Sequence, residues 1–451
     1  MLIKNGKKIV DASWSPYSGK NKHILYSITK TFSSIAIGFT IDDNLLSVDD
    51  NVITFFPERV NENNGPFFNE LQVKHLLTMT IGQHAEGPYA DPIALAIEKN
   101  EDWTKIFFNV PILHKPGTVF LYNTLASHIL STIVEKVTKK STAAYLQQKL
   151  FAPLGIKDFD WEISPTGVNT GGWGLRLNTE DMAKVGLLFL QNGKWNNKQI
   201  ISEKWVKNAT SFKVDLKNVP EHDTARANSW NQGYGYQWWL YQKGIYAAQG
   251  SEGQSIMILP KHNAVMAITG NVNQRQSVTH LIKNIIIPDL NNKKLQPDKK
   301  AVALLNQKIS RLKYLPARGI KYSAKNSFYN LQANNNGIKS VSFDFDENYC
   351  NMGMTTDIDK YEILFENEQW IKSLTRKKGP YRMHSPTSFK GLLPFKIAGS
   401  YFWQDENTLI LTIIYLESAH FETITCNFDK NSMKMEIKSS MNVINKFNSA
   451  D

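Results

Sequence analysis

The chain has 451 residues, of which 42% are hydrophobic and 21% charged, and this ordinary globular composition allows two or three domains. Its 11 Trp, 17 Tyr and 23 Phe exclude a disordered chain, because that many large apolar side chains form a core. The net charge of +11 allows an anionic partner, either nucleic acid or a membrane surface, but scattered lysines and the lack of a zinc-knuckle, RNP or basic-region pattern favour a solvated basic surface.

The chain begins with a predicted hairpin. Residues 1 to about 12 predict two short strands joined by an Asn5-Gly6 turn. This start does not resemble a signal peptide, and from the sequence as written we expect a cytoplasmic protein. Removal of an N-terminal leader would instead place the protein in the periplasm or outside the cell.

A mainly helical stretch follows the hairpin. Small and apolar residues over Ser27–Ile41 predict a buried helix that ends at Asp42. Apolar spacing predicts four further helices, at 71–80, 91–108, 124–138 and 141–156. The Pro116-Gly117 turn places Tyr122 in the loop directly before the third of these four helices.

After residue 165 the sequence predicts a further helix, and from residue 234 the pattern changes to strands. Asn178 begins an N-cap signature for a helix over 182–191. Apolar runs then predict four strands, at Tyr236–Leu240, Ile245–Gln249, Gln254–Leu259 and Ala264–Thr269, and a terminal helix at 276–287. The strands of 245–269 can join those of 1–12 in one sheet, and a cleft beside the helical lobe is where a site is expected.

Composition divides the chain into two domains and a linker. Residues 293–325 are rich in Lys and Arg and contain one helical pattern, Lys299–Leu312. The predicted domains are a first domain at 1–292 (an α/β portion over 1–45 and 166–292, with a helical lobe over 46–165), a basic linker at 293–325 and a β-rich domain at 326–451. The fold class is α/β (α+β): an antiparallel sheet flanked by helices with an inserted all-helical lobe, plus a C-terminal antiparallel β domain.

No metal, cofactor or membrane span is predicted. The two cysteines, Cys350 and Cys426, lack the spacing of a zinc site, and they either pair or are small buried hydrophobes; we favour the second. The histidines form no metal-spaced motif. No run of about 20 apolar residues occurs.

The most informative motif is Ser27-Ile28-Thr29-Lys30. In a helix Ser27 and Lys30 share a face, and a serine hydroxyl becomes a strong nucleophile when a neighbouring base takes its proton. Lysine can be that base where burial disfavours its charged form. The spacing alone has little specificity, because it recurs at Ser310 and Lys313 in the basic segment.

Two further motifs follow in order, and together the three resemble the superfamily of class C serine β-lactamases, penicillin-binding DD-peptidases and related esterases. The motifs are Ser27-Ile28-Thr29-Lys30, Tyr122-Asn123-Thr124 in place of Tyr-x-Asn, and Gln249-Gly250-Ser251-Glu252-Gly253-Gln254 in place of the Lys/His-x-Gly strand. Supporting resemblances lie at 76–80, 172–177 and 234–239. No G-x-S-x-G elbow occurs, which argues against an α/β-hydrolase fold.

The resemblance implies a role for each motif residue. Ser27 would be the nucleophile, and Lys30 would accept its proton directly or keep Tyr122 deprotonated. Tyr122 would act as general base and then protonate the leaving group. The backbone N–H groups of Ser27 and Ser251 would form the oxyanion hole, with Gly250 and Thr124 beside the substrate.

Two departures bear on the substrate. Thr124 stands where the family has Asn, and Ala248 stands where it has Lys or His. Both argue against an efficient β-lactamase and leave the nucleophile and base unchanged. Each residue also has a structural interpretation: Ser27 as an N-cap, Lys30 as a surface residue and Tyr122 as a core residue.

The predicted function is a serine hydrolase that acts through an acyl-enzyme on a small ester, amide or D-amino-acid peptide. The alternative is a catalytically silent, penicillin-binding-like protein that only binds its ligand. A small-molecule substrate and no nucleic acid are expected. The sequence leaves open the natural substrate, the oligomeric state and whether the C-terminal domain covers the cleft, binds a partner or adds bulk.

Overall fold

The computed structural model describes residues 1–59, 64–83, 101–216, 230–272, 278, 280–290, 298–381, 394–430 and 432–450. These residues form two compact units. The described residues of 1–11 and 24–290 belong to the first unit, and those of 12–23, 298–381 and 394–450 belong to the second. Most of the helix predicted at 91–108 lies outside the described residues.

The first thirteen strands of the chain are β1 Leu2–Lys4, β2 Lys7–Val10, β3 His23–Ile24, β4 Asp160–Trp161, β5 Leu175–Leu177, β6 Lys194–Trp195, β7 Lys198–Gln199, β8 Val214–Asp215, β9 Asn231–Tyr234, β10 Trp239–Tyr241, β11 Tyr246–Gln249, β12 Ser255–Leu259 and β13 Ala264–Ile268. Eight of them form the main antiparallel sheet of the first unit, in the order β2-β1-β13-β12-β11-β10-β9-β8. The N-terminal hairpin therefore joins the later strands through β1 and β13, as the sequence predicts.

Helices cover this sheet and build the lobe beside it. They are α1 Ile28–Asp42, α2 Val73–Thr78, α3 Trp103–Asn109, α4 Thr124–Thr138, α5 Thr142–Leu146, α6 Thr179–Leu190, α7 Glu203–Ala209 and α8 Ile287–Leu290. Two π-helical turns, Gln147–Phe151 and Ile282–Ile286, extend α5 and precede α8. Helix α6 packs on β12 and β13, and α4 packs on α1, α2 and α3.

Helix α1 is buried along nearly its whole length, which explains its small and apolar sequence. Every residue from Ile28 to Thr40 is buried. The hydroxyls of Ser33 and Ser34 donate to the backbone oxygens of Gly171 and Tyr236, both at 2.8 Å, so these polar side chains are satisfied inside the core. Apolar residues and paired hydroxyls thus hold α1 at the centre of the unit.

One predicted strand is wrong at its start. The sequence predicts a strand over Tyr236–Leu240, whereas the structure has β10 beginning at Trp239. Gln237 adopts a left-handed conformation (φ 63°), and its buried side-chain amide donates to the carbonyls of Leu76 and Leu77 at 3.0 and 3.2 Å. These contacts with α2 favour a turn over the extended backbone that the apolar pattern suggests.

The second unit is dominated by one long, mainly antiparallel sheet. Its strands are β14 Ser327–Asn330, β15 Ile338–Asp346, β16 Tyr349–Thr356, β17 Lys360–Asn367, β18 Ile371–Thr375, β19 Phe395–Asp405, β20 Thr408–Tyr415, β21 Phe421–Asp429, β22 Ser432–Ser439 and β23 Ile444–Asn448, preceded by α9 Lys299–Ser310. The sheet curls so that its ends meet, since Ala450 N–H donates to Asn330 O at 2.7 Å. Cys350 and Cys426 are free and buried, as expected.

Residues 12–23 pack with this second unit although they precede α1 in the chain. Ser15 N–H donates to Leu312 O at 3.1 Å, and Tyr314 N–H donates to Ser15 O at 2.7 Å. Tyr17 packs against an apolar cluster that includes Ile414. The predicted fold class is confirmed: an α/β unit with an antiparallel sheet, and a C-terminal antiparallel β unit. Within the described ranges, each helix is too short or too polar to cross a bilayer.

Candidate active site

Ser27 lies at the N-terminal end of α1 with its side chain available. It occupies the N-cap position but makes no side-chain capping hydrogen bond, so capping does not account for it. Tyr26 directly before it has a left-handed conformation (φ 48°), and Leu25 N–H donates to Leu175 O in β5 at 2.9 Å. This contact with β5 and the turn at Tyr26 therefore fix the backbone position of Ser27.

Lys30 is buried directly beside this hydroxyl. Its side chain is 2% exposed, which excludes a surface role. Its Nζ donates to the Gly172 carbonyl at 2.8 Å and lies 3.2 Å from Ser27 Oγ. The same nitrogen is 4.8 Å from the centre of the Tyr122 ring. One amine thus contacts the groups that the sequence places in the first two motifs.

Tyr122 is held at the entrance to α4. Its ring is half-buried and stacks on Trp239 of β10, with centroids 5.8 Å apart and planes 21° apart. The next residue, Asn123, caps α4 because its Oδ1 accepts the Ala126 N–H at 3.0 Å, while its amide donates to Gln83 at 2.8 Å. The Asn123 amide is therefore used inside the fold.

The turn around Gly172 packs closely against Lys30. A Cβ at Gly172 would overlap the Thr124 side chain and lie 3.3 Å from Lys30 Nζ, so the backbone approaches both closely. Thr124 is the first residue of α4 and faces this turn. In the sequence Gly172 belongs only to the supporting resemblance at 172–177, which predicts no role for it.

The buried carboxyl group of Glu162 contacts Trp173, the residue that follows Gly172. Trp173 Nε1 donates to Glu162 Oε2 at 3.1 Å, and both residues are buried. Burial raises the pKa of Glu162 to about 8, and the nearby Arg176 guanidinium opposes the rise. Glu162 was not predicted from the sequence, because a single acid between Trp161 and Ile163 carries no signal of this contact.

The third motif forms a tight loop after β11. A Cβ at Gly250 would overlap the Leu25 carbonyl, so this loop runs against the segment that leads into Ser27. Gln254 Nε2 donates to the carbonyls of Ser251, Glu252 and Gly270 and fixes the loop. Among the described residues, the N–H groups of Ser27 and Ser251 donate to no protein acceptor. Two unused backbone donors suit an oxyanion.

The position of the family's cation is apolar here. Ala248 in β11 is fully buried, and its methyl group carries no charge. Within the described ranges, no group of three His, Cys, Asp or Glu side chains is placed to hold a metal ion. The local chemistry comes from a hydroxyl, an amine, a phenol and backbone N–H groups.

Known proteins resemble the chain in both sequence and structure. A 6-aminohexanoate-dimer hydrolase from Paenarthrobacter ureafaciens is 21% identical, covering 59% of this chain and 70% of that protein. Protein flp from Staphylococcus aureus (strain MW2) is 26% identical over 35% of this chain and 33% of its own. The octameric penicillin-binding protein homologue from Pyrococcus abyssi superposes with a TM-score of 0.51 at 16% identity, covering 99% of this chain and 94% of that one.

The family assignment rests on a longer match. The family model described as Beta-lactamase matches residues 1–286, which include the Ser27, Tyr122 and Ser251 motifs and more than half of the chain. The chain therefore belongs to the Beta-lactamase family of serine hydrolases.

Proposed function

We propose that this protein hydrolyses a small ester, amide or D-amino-acid peptide through an acyl-enzyme on Ser27. The observation that carries the proposal is the buried Lys30 Nζ, 3.2 Å from Ser27 Oγ and 4.8 Å from the Tyr122 ring centre. A hydroxyl so close to a buried amine has a neighbour to take its proton, and the Tyr122 ring lies beside that same amine. The tight packing of Lys30 keeps that neighbour in place.

The proposed acylation begins with proton transfer from Ser27 Oγ. Lys30 takes the proton directly, or it keeps Tyr122 deprotonated so that the phenolate takes it. Oγ then bonds to the substrate carbonyl carbon, and the carbonyl oxygen gains negative charge. The N–H groups of Ser27 and Ser251 donate to that oxygen, and each such donor typically contributes about 3 kcal/mol.

The second half of the reaction releases the acyl group. The leaving oxygen or nitrogen takes the proton from Tyr122 or Lys30 as its bond to the carbonyl carbon breaks. A water molecule then attacks the ester on Ser27, giving its proton to the same base. The bond between the carbonyl carbon and Ser27 Oγ then breaks, Oγ takes the proton from that base, and the acid product leaves, so the protein returns to its starting state.

The substrate class follows from what the third motif lacks. Because Ala248 is buried and apolar, it offers no charge to a β-lactam carboxylate, and Thr124 offers a hydroxyl in place of an amide. We infer that the protein is not an efficient β-lactamase. Its relative from Paenarthrobacter is named a 6-aminohexanoate-dimer hydrolase, which supports a small, non-β-lactam substrate.

A fluorophosphonate probe tests the nucleophile. We expect wild type to be labelled at one serine and to hydrolyse short p-nitrophenyl esters, and Ser27→Ala to lose both. Ser310→Ala is the matched control, because Ser310 has the same spacing to Lys313 but is exposed and donates to Gln307 O. Its labelling should equal that of wild type.

The same experiment distinguishes a hydrolase from the alternative, a protein that only binds its ligand. A ligand-binding protein without turnover is favoured by the missing cation at Ala248. Such a protein would resist the probe, hydrolyse no ester and keep its ligand affinity in Ser27→Ala. If wild type showed neither labelling nor hydrolysis across esters, linear amides, D-amino-acid peptides and a chromogenic cephalosporin, the hydrolase proposal would be abandoned.

A further inference from the structure

Helix α9, Lys299–Ser310, is a helix without a buried residue. Asp298 caps it, because one carboxylate oxygen accepts the N–H groups of Lys300 and Ala301 at 2.9 and 3.0 Å. A helix of this length gains little stability in water unless one of its faces is packed. Because no face of α9 is packed, one of its faces is available to bind another surface.

That face is apolar. Val302, Leu305 and Ile309 recur at the spacing that aligns side chains along one side of a helix. Val302 is 57% exposed and Leu305 is 38% exposed, while Ile309 is partly exposed. These side chains form an accessible row, which we call the α9 apolar row.

Positive charge surrounds the α9 apolar row. Lys299 and Lys308 lie on its two sides by helical spacing, and Lys300 and Arg311 lie on the opposite face. Residues 293–325 hold ten Lys and Arg against one acid, Asp298, and so account for nine of the eleven net charges of the chain. Most of the net charge is therefore concentrated in the segment of sequence that contains the row.

We propose that helix α9 binds the surface of an anionic phospholipid membrane. The α9 apolar row enters the boundary between headgroups and acyl chains, and the flanking lysines meet the lipid phosphates. A nucleic acid would use the charge but not the row. A second copy of the basic segment would bring like charges together, because almost no acids are available to pair with them.

Vesicle flotation of the full chain tests this binding. The protein should float with vesicles of phosphatidylglycerol and phosphatidylcholine in equal amounts, and it should stay behind with phosphatidylcholine alone. High salt should weaken the association, because it screens charges at the lipid surface. Equal flotation with both kinds of vesicle, or none with either, would overturn the proposal.

Two variants separate the apolar and electrostatic contributions. Leu305→Glu interrupts the row with a residue that favours helix, and the double variant Lys299→Glu/Lys300→Glu places acids where the helix dipole stabilises them, so both should keep α9 folded. Each should reduce the bound fraction about ten-fold or more on anionic vesicles. Circular dichroism and ester hydrolysis should match wild type.

Matched controls complete the test. Ile358→Glu changes an apolar side chain that is 92% exposed in another region of the second unit, and Lys198→Glu reverses an exposed charge in the first unit. Both should bind vesicles like wild type. Equal losses in controls and α9 variants would overturn the proposal. Self-association that Leu305→Glu abolishes, without lipid binding, would identify a second copy as the occupant and also overturn it.

Discussion

At Lys30 a single nitrogen contacts two oxygens that lie far apart in the sequence. The Gly172 carbonyl accepts one hydrogen bond from Nζ at 2.8 Å, and Ser27 Oγ lies at 3.2 Å. The carbonyl can therefore orient the amine. When Lys30 is neutral, the lone pair of its Nζ can then take a proton from Ser27 Oγ. The direct route of the proposed reaction, in which Lys30 itself is the base, depends on a nitrogen that both gains and loses that proton.

Lys30→Arg tests this requirement. Arginine keeps the positive charge but does not deprotonate at accessible pH, so it cannot be a base. We expect kcat/KM for p-nitrophenyl ester hydrolysis to fall by at least about 10²-fold. Lys313→Arg changes the exposed lysine of the second Ser-x-x-Lys sequence and should leave kcat/KM unchanged. Activity of Lys30→Arg near that of wild type would contradict a proton-transfer role.

The raised pKa of Glu162 predicts that the stability of the protein depends on pH. Its folded-state pKa of about 8 exceeds the reference value of 4.5, so the folded protein holds this proton to a higher pH than the unfolded chain does. Between these values the folded state binds more protons, and the free energy of unfolding therefore falls as the pH rises. Below about pH 4.5 the carboxyl is protonated in both states and this loss is absent.

Urea unfolding of wild type and Glu162→Gln at pH 5 and pH 8 checks the sign. Glutamine keeps an oxygen for the Trp173 N–H but does not titrate, so the variant should lose less stability between the two pH values. Other buried groups, such as His128, whose pKa burial lowers to about 4, titrate in both proteins. The difference between the two proteins therefore reports the titration of Glu162 alone. If both proteins lost the same free energy of unfolding between pH 5 and pH 8, the raised pKa of Glu162 would be contradicted.

At the scale of elements, the turn of Gly172 and the start of α4 are fitted to each other. A Cβ at Gly172 would overlap the Thr124 methyl group and crowd Lys30 Nζ. We expect Gly172→Ala to destabilise the protein by about 1–3 kcal/mol and to lower ester hydrolysis. Adding Thr124→Ser removes the overlapping methyl group and should partly restore both, as measured by thermal unfolding and initial rates. A double variant no better than the single one would contradict this fit.

Helices and strands that are determined by the neighbouring sequence could be predicted, whereas those that depend on contacts with distant residues could not. Helix α1 follows from a continuous run of small and apolar residues, and it ends at Asp42 as predicted. The strand predicted from Tyr236 fails because Gln237 bonds to α2, about 160 residues earlier in the chain. The three-residue spacing on a helix predicted Ser27 and Lys30 as neighbours, whereas no sequence pattern indicates the contact between Glu162 and Trp173.

At the scale of the whole molecule, the two units are not consecutive pieces of sequence. Residues 12–23 belong with the β-rich unit, and the chain then returns to the first unit just before Ser27. The apolar cluster around Ala398, Ile414 and Leu416 receives the Tyr17 ring. Burial also raises the pKa of the Tyr17 hydroxyl well above its usual range, as expected for a side chain inside this unit.

Tyr17→Ala should therefore weaken the unit that lies later in the chain. Removing the ring leaves a cavity in the cluster, and such losses typically cost about 2–4 kcal/mol. Hydrogen exchange should show reduced amide protection in β19 and β20, which carry Ala398 and Ile414. Trp14→Ala is the matched control, because Trp14 lies in the same segment but is 52% exposed, and it should change stability by less than about 0.5 kcal/mol. Equal effects of the two substitutions would show that Tyr17 contributes no more than a surface residue, and that residues 12–23 do not stabilise the β-rich unit.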